Sequence, residues 1–283
     1  MEPVPIRVRT HALDVARKKP AFAKRSLLRE RMKRDKLPSP MTLDRGPQLL
    51  RRAGIIGDLH GEHEQLERLL DEFERAGVDA VLCVGDIVDG VGDVNRCCAL
   101  LEERAVHSVA GNHDRWLLSD ELRDLPDATR ASAITARSRA FLEKLPVKRY
   151  FETPRGRLML CHGVGDDDMA QVKADHLEFE LQLNKPLGRV LRGARCDFMV
   201  AGHTHQTMVR RIQHLTVINA GTVYRRYEQR AGLVDFELGN VQFYKLGSGR
   251  PRVDETIELP ATEERSSIHG NAILSGKLGG LLG

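Results

Sequence analysis

The chain has 283 residues, of which 41% are hydrophobic and 30% charged, with a formal net charge of +4. These proportions fit a soluble globular chain of one large or two small domains. No run reaches the roughly 18 apolar residues that span a bilayer, which excludes an α-helical membrane protein. The charge is unevenly placed: residues 1–52 hold 15 Lys or Arg against 5 Asp or Glu, and the remainder holds 29 against 35. Residues 1–50 therefore read as a basic N-terminal extension. Within it "AFAKRSLLRERMKRDKL" carries a partial apolar stripe (Phe22, Leu27, Leu28, Met32) and stops at "PSP". Such an arm either contacts a polyanion, nucleic acid included, or stands as solvated chain. With so few aromatic residues it offers little for base stacking. The first residues carry no apolar leader, which predicts a cytoplasmic protein. Five cysteines (83, 97, 98, 161, 196) without C-x-x-C spacing read as reduced core thiols.

From Arg52 the pattern changes. "AGIIGDLHG" is a short apolar strand and a tight loop. "EHEQLERLLDEFERAG" follows, with Leu66, Leu69, Leu70 and Phe73 at helical spacing and a terminal glycine as its stop. "VDAVLCVGD" is a second strand, and "DVNRCCALLEERA" a second helix with Asp93 as N-cap. "VHSVAGNHD" is a third strand and loop, so this half predicts a parallel α/β sheet. Helices are expected over 114–124 and 128–144. The second half holds many short strands, with one helical stretch expected between them, "DDDMAQVKADHLEFELQLNKPLGRVLRGA". A helix-rich half and a strand-rich half predict an α/β fold of two packed mixed β-sheets flanked by helices, over residues 51–250. Residues 251–283 read as a polar, then Gly- and Leu-rich tail without chemistry of its own.

Five loops end strands with chemically active residues. Asp58 and His60 follow the first strand, Asp86 and Asp89 the second, Asn112 and His113 the third. His162 and the pair His203/His205 follow two later strands. Strand ends in α/β sheets are where ligands bind, and flanking glycines allow close backbone approach. Any one of these loops reads better as an ordinary hydrogen-bonded turn; all five in one chain, each at a strand end, reverse that reading. Asp58, His60, Asp86, Asn112, His162, His203 and His205 form a carboxylate, imidazole and amide set without thiolate, suited to Mn2+, Fe or Zn2+. Seven ligands exceed one tetrahedral ion and suit two ions sharing a carboxylate. If residues 203–205 are extended, alternation turns both histidines to one side.

"GDLHG", "GDIVDG", "GNHD", "CHG" and "GHTH" resemble, in order, the five signature blocks of the calcineurin-like metallophosphoesterases. The resemblance spans about residues 52–224, and "INAGTV" looks like that family's Asn-Pro-Gly-Ser turn. It implies a four-layer α/β/β/α sandwich of the bacterial single-domain type, hydrolysing phosphomono- or phosphodiesters by in-line attack of a metal-bridging hydroxide. It also implies two divalent metal ions, Mn2+ first, with Fe, Zn2+ or Ni2+ as alternatives. Asp58, His60 and His205 would hold one ion, Asn112, His162 and His203 the other, and Asp86 would bridge. His113 would donate a proton to the leaving oxygen or stabilise the phosphoryl group, Asp89 would orient His113, and Asn112 counts among the catalytic residues. In the family's protein Ser/Thr phosphatases an arginine follows the second aspartate of the second block; here Gly90 stands there, against a protein phosphatase. Arg115, two residues past His113, is a candidate phosphate contact, with a surface helix charge as its alternative. Trp116 reads as packing, Asp166–Asp168 as an acidic helix start, and Tyr224 and Arg225 as residues lining the site.

Three functions compete. The first is hydrolysis of a small-molecule phosphoester, and the second a nucleotide or nucleic-acid processing phosphodiesterase or nuclease recruited through residues 1–50. The third is a non-catalytic scaffold on the same fold, which predicts lost ligands or a lost general acid, whereas every such position is filled.

Overall fold

The computed structural model describes residues 49–121, 123–193 and 196–260. The basic extension, except Leu49 and Leu50, and the chain after residue 260 lie outside the described residues. The elements run β1 (Arg52–Ile56), α1 (His63–Ala76), β2 (Ala80–Cys83), α2 (Val94–Glu103), β3 (His107–Ser108), α3 (Asn112–Leu118) and α4 (Ala136–Glu143). They continue with β4 (Lys148–Thr153), β5 (Gly156–Cys161), α5 (Glu178–Leu183), α6 (Lys185–Gly193), β6 (Phe198–Ala201), β7 (Thr207–Ile212) and β8 (Leu215–Ala220). Strands β9 (Arg230–Asp235), β10 (Asn240–Lys245) and β11 (Arg252–Glu258) close the series.

A six-stranded sheet has the order β11-β10-β9-β1-β2-β3, and a five-stranded sheet the order β4-β5-β6-β8-β7. Strands β1, β2 and β3 pair in parallel, as the strand–helix alternation predicts, while β9 joins β1 antiparallel. Both sheets are therefore mixed. Successive strand side chains face opposite ways, and the sequence uses this to fill three cores. Ile55, Leu158, Leu160, Phe198, Val200 and Phe243 lie in the core between the sheets. Ile56 turns the other way, into a core with Leu66, Leu69 and Phe73 of α1 and Leu100 of α2. Met159, Cys161 and Met199 face Leu181 of α5 and Leu187 and Val190 of α6. The layers are thus helix, sheet, sheet, helix.

Local signals explain the helix ends. Gly77 adopts a left-handed φ of 67° and its N–H donates to the carbonyls of Glu74 and Phe73, closing α1. The Asp93 side chain accepts the Arg96 N–H and starts α2. All five cysteines are free and buried, and burial pushes the Cys83, Cys98 and Cys161 thiols up to about 12.

Three expectations are corrected. The long helix expected from Asp166 is instead a loop followed by α5 and α6. Asp167 Oδ1 accepts the N–H groups of Met169 and Ala170, tying a turn, and Pro186 with the Asn184 cap of Leu187 restarts the helix. The helices expected over 114–124 and 128–144 are shorter, since a loop and the 3-10 turn Ala131–Ala133 lie between α3 and α4. In the tail expected over 251–283, Arg252–Glu258 is instead an edge strand on β10. Most of its side chains are exposed, so it shows no apolar alternation and its backbone ladder holds it.

Candidate metal centre

The five loops converge. Asp58, His60, Asp86, Asn112 and His162 are each 3% exposed or less, a burial that charged and polar groups accept only when they satisfy one another. His162 Nδ1 donates to the Val84 carbonyl at 3.0 Å, because a carbonyl only accepts. Its Nε2 then faces Asn112 Oδ1 (2.8 Å), Asp86 Oδ2 (3.3 Å) and His203 Nδ1 (3.3 Å). His60 is oriented the same way. Its Nδ1 donates to the Asp89 and Val88 carbonyls at 2.8 and 3.1 Å, and its Nε2 lies 3.3 Å from His205 Nε2. His205 Nε2 is 3.6 Å from Asp58 Oδ2. Two groups of ligand atoms lie within 4.8 Å of one another: His60, Asp86 and His113, and Asp86, His162 and His203. Asp86 belongs to both.

The donors fit divalent cations. Imidazole nitrogens meet at 3.3 Å with carboxylates beside them, and no thiolate competes, since Cys161 Sγ is turned to the Gly163 carbonyl. Charge coupling is strong. Burial works to raise Asp86, yet His162, His60 and His113 together hold it well below the carboxylate range. Burial works to lower His162, yet Asp86 and Asp58 push it up to about 10. His203 and His205 lie below the ordinary imidazole value, chiefly through burial.

His113 stands slightly apart. Its Nδ1 lies 2.6 Å from Asp89 Oδ2 and its Nε2 3.9 Å from Asp86 Oδ2. Burial opposes its protonation, but the Asp89 hydrogen bond and the Asp86 and Asp89 charges raise it above the ordinary value. Its backbone N–H donates to Asp86 Oδ1.

The backbone makes this convergence. His60, Asp86, Asp89, His203 and His205 all have positive φ, between 45° and 67°. The common aim of His203 and His205 therefore arises from two left-handed residues in a turn and not from the extended alternation expected above. The turn is held from outside. The Asn219 amide donates to the Gly202 carbonyl and Thr204 Oγ1, and the His203 N–H donates to both Asp58 oxygens. Gly90 is required by space: a Cβ there would sit 1.8 Å from the His60 carbonyl oxygen. No side chain, arginine included, fits position 90 with this backbone.

Residues around the cage complete the picture. Arg115 Nε and an Nη pair with Asp168 at 2.7 and 3.1 Å, so its fork is engaged by the His162 loop. Asp166–Asp168 starts no helix; Asp166 pairs with Lys148 instead. Trp116 lies edge-on to His113 at 4.9 Å, beneath the Arg123 guanidinium at 3.7 Å. Tyr224 lies 4.7 Å from the His60 ring, and Arg225 makes a bidentate pair with buried Glu62.

Several supporting residues escaped the sequence reading. Asp114 is fully buried and accepts the N–H groups of Ile87, Val88 and Gly111, tying the second loop to the third. Burial and the Asp86 charge push it up to about 6. Thr129 exchanges two hydrogen bonds with Asp89, and Tyr227 packs edge-on to His205 at 4.5 Å. Asp114 had a signal, as the last residue of "GNHD"; Thr129 and Tyr227 had none.

Comparison with known proteins gives the family and the fold. The family model of the calcineurin-like phosphoesterase superfamily domain matches residues 52–239. Uncharacterized protein MJ0912 of Methanocaldococcus jannaschii is 31% identical over 100 residues, a stretch covering 33% of this chain and 41% of that protein. A metallophosphoesterase from Sphaerobacter thermophilus shares the fold at a TM-score of 0.54 and 21% identity, over 70% of this chain and 88% of the other. Hypothetical protein PH1004 from Pyrococcus horikoshii OT3 does so at 0.58 and 13%, over 69% and 87%. With the family model covering β1 to β9 and all five loops, the chain belongs to the calcineurin-like phosphoesterase superfamily.

Proposed function

We propose that this phosphoesterase hydrolyses phosphomono- or phosphodiesters with two divalent ions. Asp58, His60 and His205 would hold one ion, Asn112, His162 and His203 the other, with Asp86 shared. The sharing of Asp86 between two clusters of ligand atoms is the observation that carries this reading. When bound, such ions lower the pKa of a water and neutralise charge building on the phosphoryl oxygens. His113 supplies the proton. Asp89 engages its Nδ1–H, so Nε2 is the nitrogen turned to the cage, placed to give a proton to the leaving oxygen. Arg115, paired with Asp168, would contact the phosphate. Mn2+ is the first metal to try, with Fe, Zn2+ and Ni2+ accepted by the same donors.

The test is hydrolysis of p-nitrophenyl phosphate and its bis ester by metal-depleted and Mn2+-reloaded protein. Depletion abolishes turnover and Mn2+ restores it. Turnover that survives chelation overturns the two-ion reading. Nucleic acid is the second reading, favoured by the surplus of positive charge in residues 1–52. Removing residues 1–48 then lowers both the affinity for nucleic acid and its salt dependence.

A further inference from the structure

Asp89 is held from outside its own loop. It has a left-handed φ of 61°, which a residue with a side chain keeps only when its surroundings impose it. Thr129 makes two bonds to it. The Thr129 N–H donates to Asp89 Oδ1 at 2.7 Å, and Thr129 Oγ1 accepts the Asp89 N–H at 2.9 Å. We propose that Thr129 is the positioning residue of the Asp89–His113 pair and governs how well esters with poor leaving groups are cleaved; the proposal rests on the phosphoester-hydrolase reading above.

Every polar group of Asp89 is committed. Thr129 takes the N–H and Oδ1, His113 Nδ1 lies 2.6 Å from Oδ2, and the carbonyl accepts His60 Nδ1 at 2.8 Å. One residue thus orients both the proton donor and a ligand of the proposed first ion. With Oδ1 tied to a backbone N–H, the carboxylate plane is fixed and Oδ2 stays aimed at His113. Asp89 is 6% exposed, so without Thr129 Oγ1 its N–H would be left buried and unpaired. These bonds cross 40 positions of chain, from the second loop to the segment between α3 and α4, so local turn geometry does not account for them.

The segment that carries Thr129 is anchored at a second point. Asp127 accepts the Tyr224 hydroxyl and pairs with an Arg226 Nη at 3.2 Å. The Tyr224 ring in turn packs 4.7 Å from His60. Asp127 and Thr129 therefore grip two different loops of the site, the one after β8 and the one after β2. Anchored twice, the segment holds Asp89 in place rather than following it. His113 Nε2, across its ring from the nitrogen that Asp89 engages, then keeps its direction toward the cage, 3.9 Å from Asp86 Oδ2. A misdirected donor costs most where the leaving oxygen most needs a proton.

The experiment removes the acceptor and then restores it. Thr129→Val keeps the side-chain shape and the backbone N–H but loses Oγ1, whereas Thr129→Ser keeps that oxygen. Thr129→Ala removes the same oxygen without crowding and guards against a folding defect in Thr129→Val. The full-length Mn2+ enzyme is given phenyl and p-nitrophenyl phosphate, or their bis esters where wild type prefers those. In Thr129→Val, kcat for the phenyl ester falls about tenfold, and for the p-nitrophenyl ester, whose anion leaves with little need of a proton, about twofold or less. Thr129→Ser returns both to near the wild-type rate, and metal content is unchanged throughout. Independently, metal-depleted wild type shows a downfield Nδ1–H proton resonance of His113, assigned by its loss in His113→Ala. Thr129→Val and Thr129→Ala lose that resonance and Thr129→Ser keeps it. Equal falls for the two esters, or a resonance that survives in both Thr129→Val and Thr129→Ala, overturns the proposal. If wild type hydrolyses none of these esters with Mn2+, the phosphoesterase reading falls, and the resonance still decides whether Thr129 holds the pair.

Discussion

The two sheets contribute unlike chemistry to one site. The loops of the six-stranded sheet bring Asp58, Asp86, Asp89, Asn112, His60 and His113, every carboxylate among the candidate residues. The loops of the five-stranded sheet bring His162, His203 and His205, imidazoles alone. The contacts therefore run across the seam. His162 lies 3.3 Å from Asp86 and 3.5 Å from Asp58, and the His203 N–H donates to both Asp58 oxygens. The Asp58 carboxylate in particular is met by His162, His203 and His205, all from the opposite sheet's loops. An isolated buried carboxylate is expensive, so the packing of the sheets and the completion of the site are one event.

Two substitutions probe that coupling from opposite ends. His113→Ala removes a group from the carboxylate side that is not among the seven ligands. We expect kcat to fall about 10²–10⁴-fold while metal content is retained, read by steady-state kinetics beside elemental analysis. Metal lost together with turnover would make His113 part of the cage. Phe198→Ala acts at the seam instead. Phe198 is fully buried between the sheets and packs edge-on to Phe236 at 5.2 Å. We expect about 3–5 kcal/mol of lost stability in urea unfolding, with metal affinity weakened as well. A destabilised variant that binds metal as tightly as wild type would separate the seam from the site.

The same division marks what was legible in the sequence. Apolar runs ending in glycine-flanked Asp, Asn and His announced both sheets and all the loops that meet, because a buried strand and a tight polar turn each demand particular residue types. What failed needed information from outside the segment. The stretch from Asp166 has helical composition, but Asp167 spends its carboxylate on turn N–H groups and Asp168 on Arg115. Pro186 was a readable break that the helical pattern overrode. Strand β11 has no buried face to imprint an alternation. Thr129 reaches Asp89 across 40 positions, and no periodicity reports such a contact. The left-handed backbone at His203 and His205 was equally invisible. Such a conformation normally selects glycine, and here the side chain is kept for what it faces.

That last point separates two kinds of glycine, and two smaller predictions follow it. Gly90 has no room: its Cβ would strike the His60 carbonyl at 1.8 Å. Gly90→Ala must move the first loop or the second, so we expect about 1–3 kcal/mol of destabilisation and weaker metal binding. Full stability and affinity in that variant would show that the two loops yield to each other freely. Gly77 has room: its Cβ would meet only an Arg52 nitrogen, at 4.0 Å, and its demand is the left-handed φ of 67°. Gly77→Ala therefore costs backbone conformation alone, about 1 kcal/mol in urea unfolding, with kcat and metal content unchanged. His203 and His205 carry the same conformational cost at φ of 67° and 59°, without the helix end that justifies it in α1. If Gly77→Ala is neutral, left-handed backbone is cheap in this fold and the cage turns store no strain. If it loses the expected amount, the two histidines hold their positions against a cost of that order, offset by what their imidazoles face.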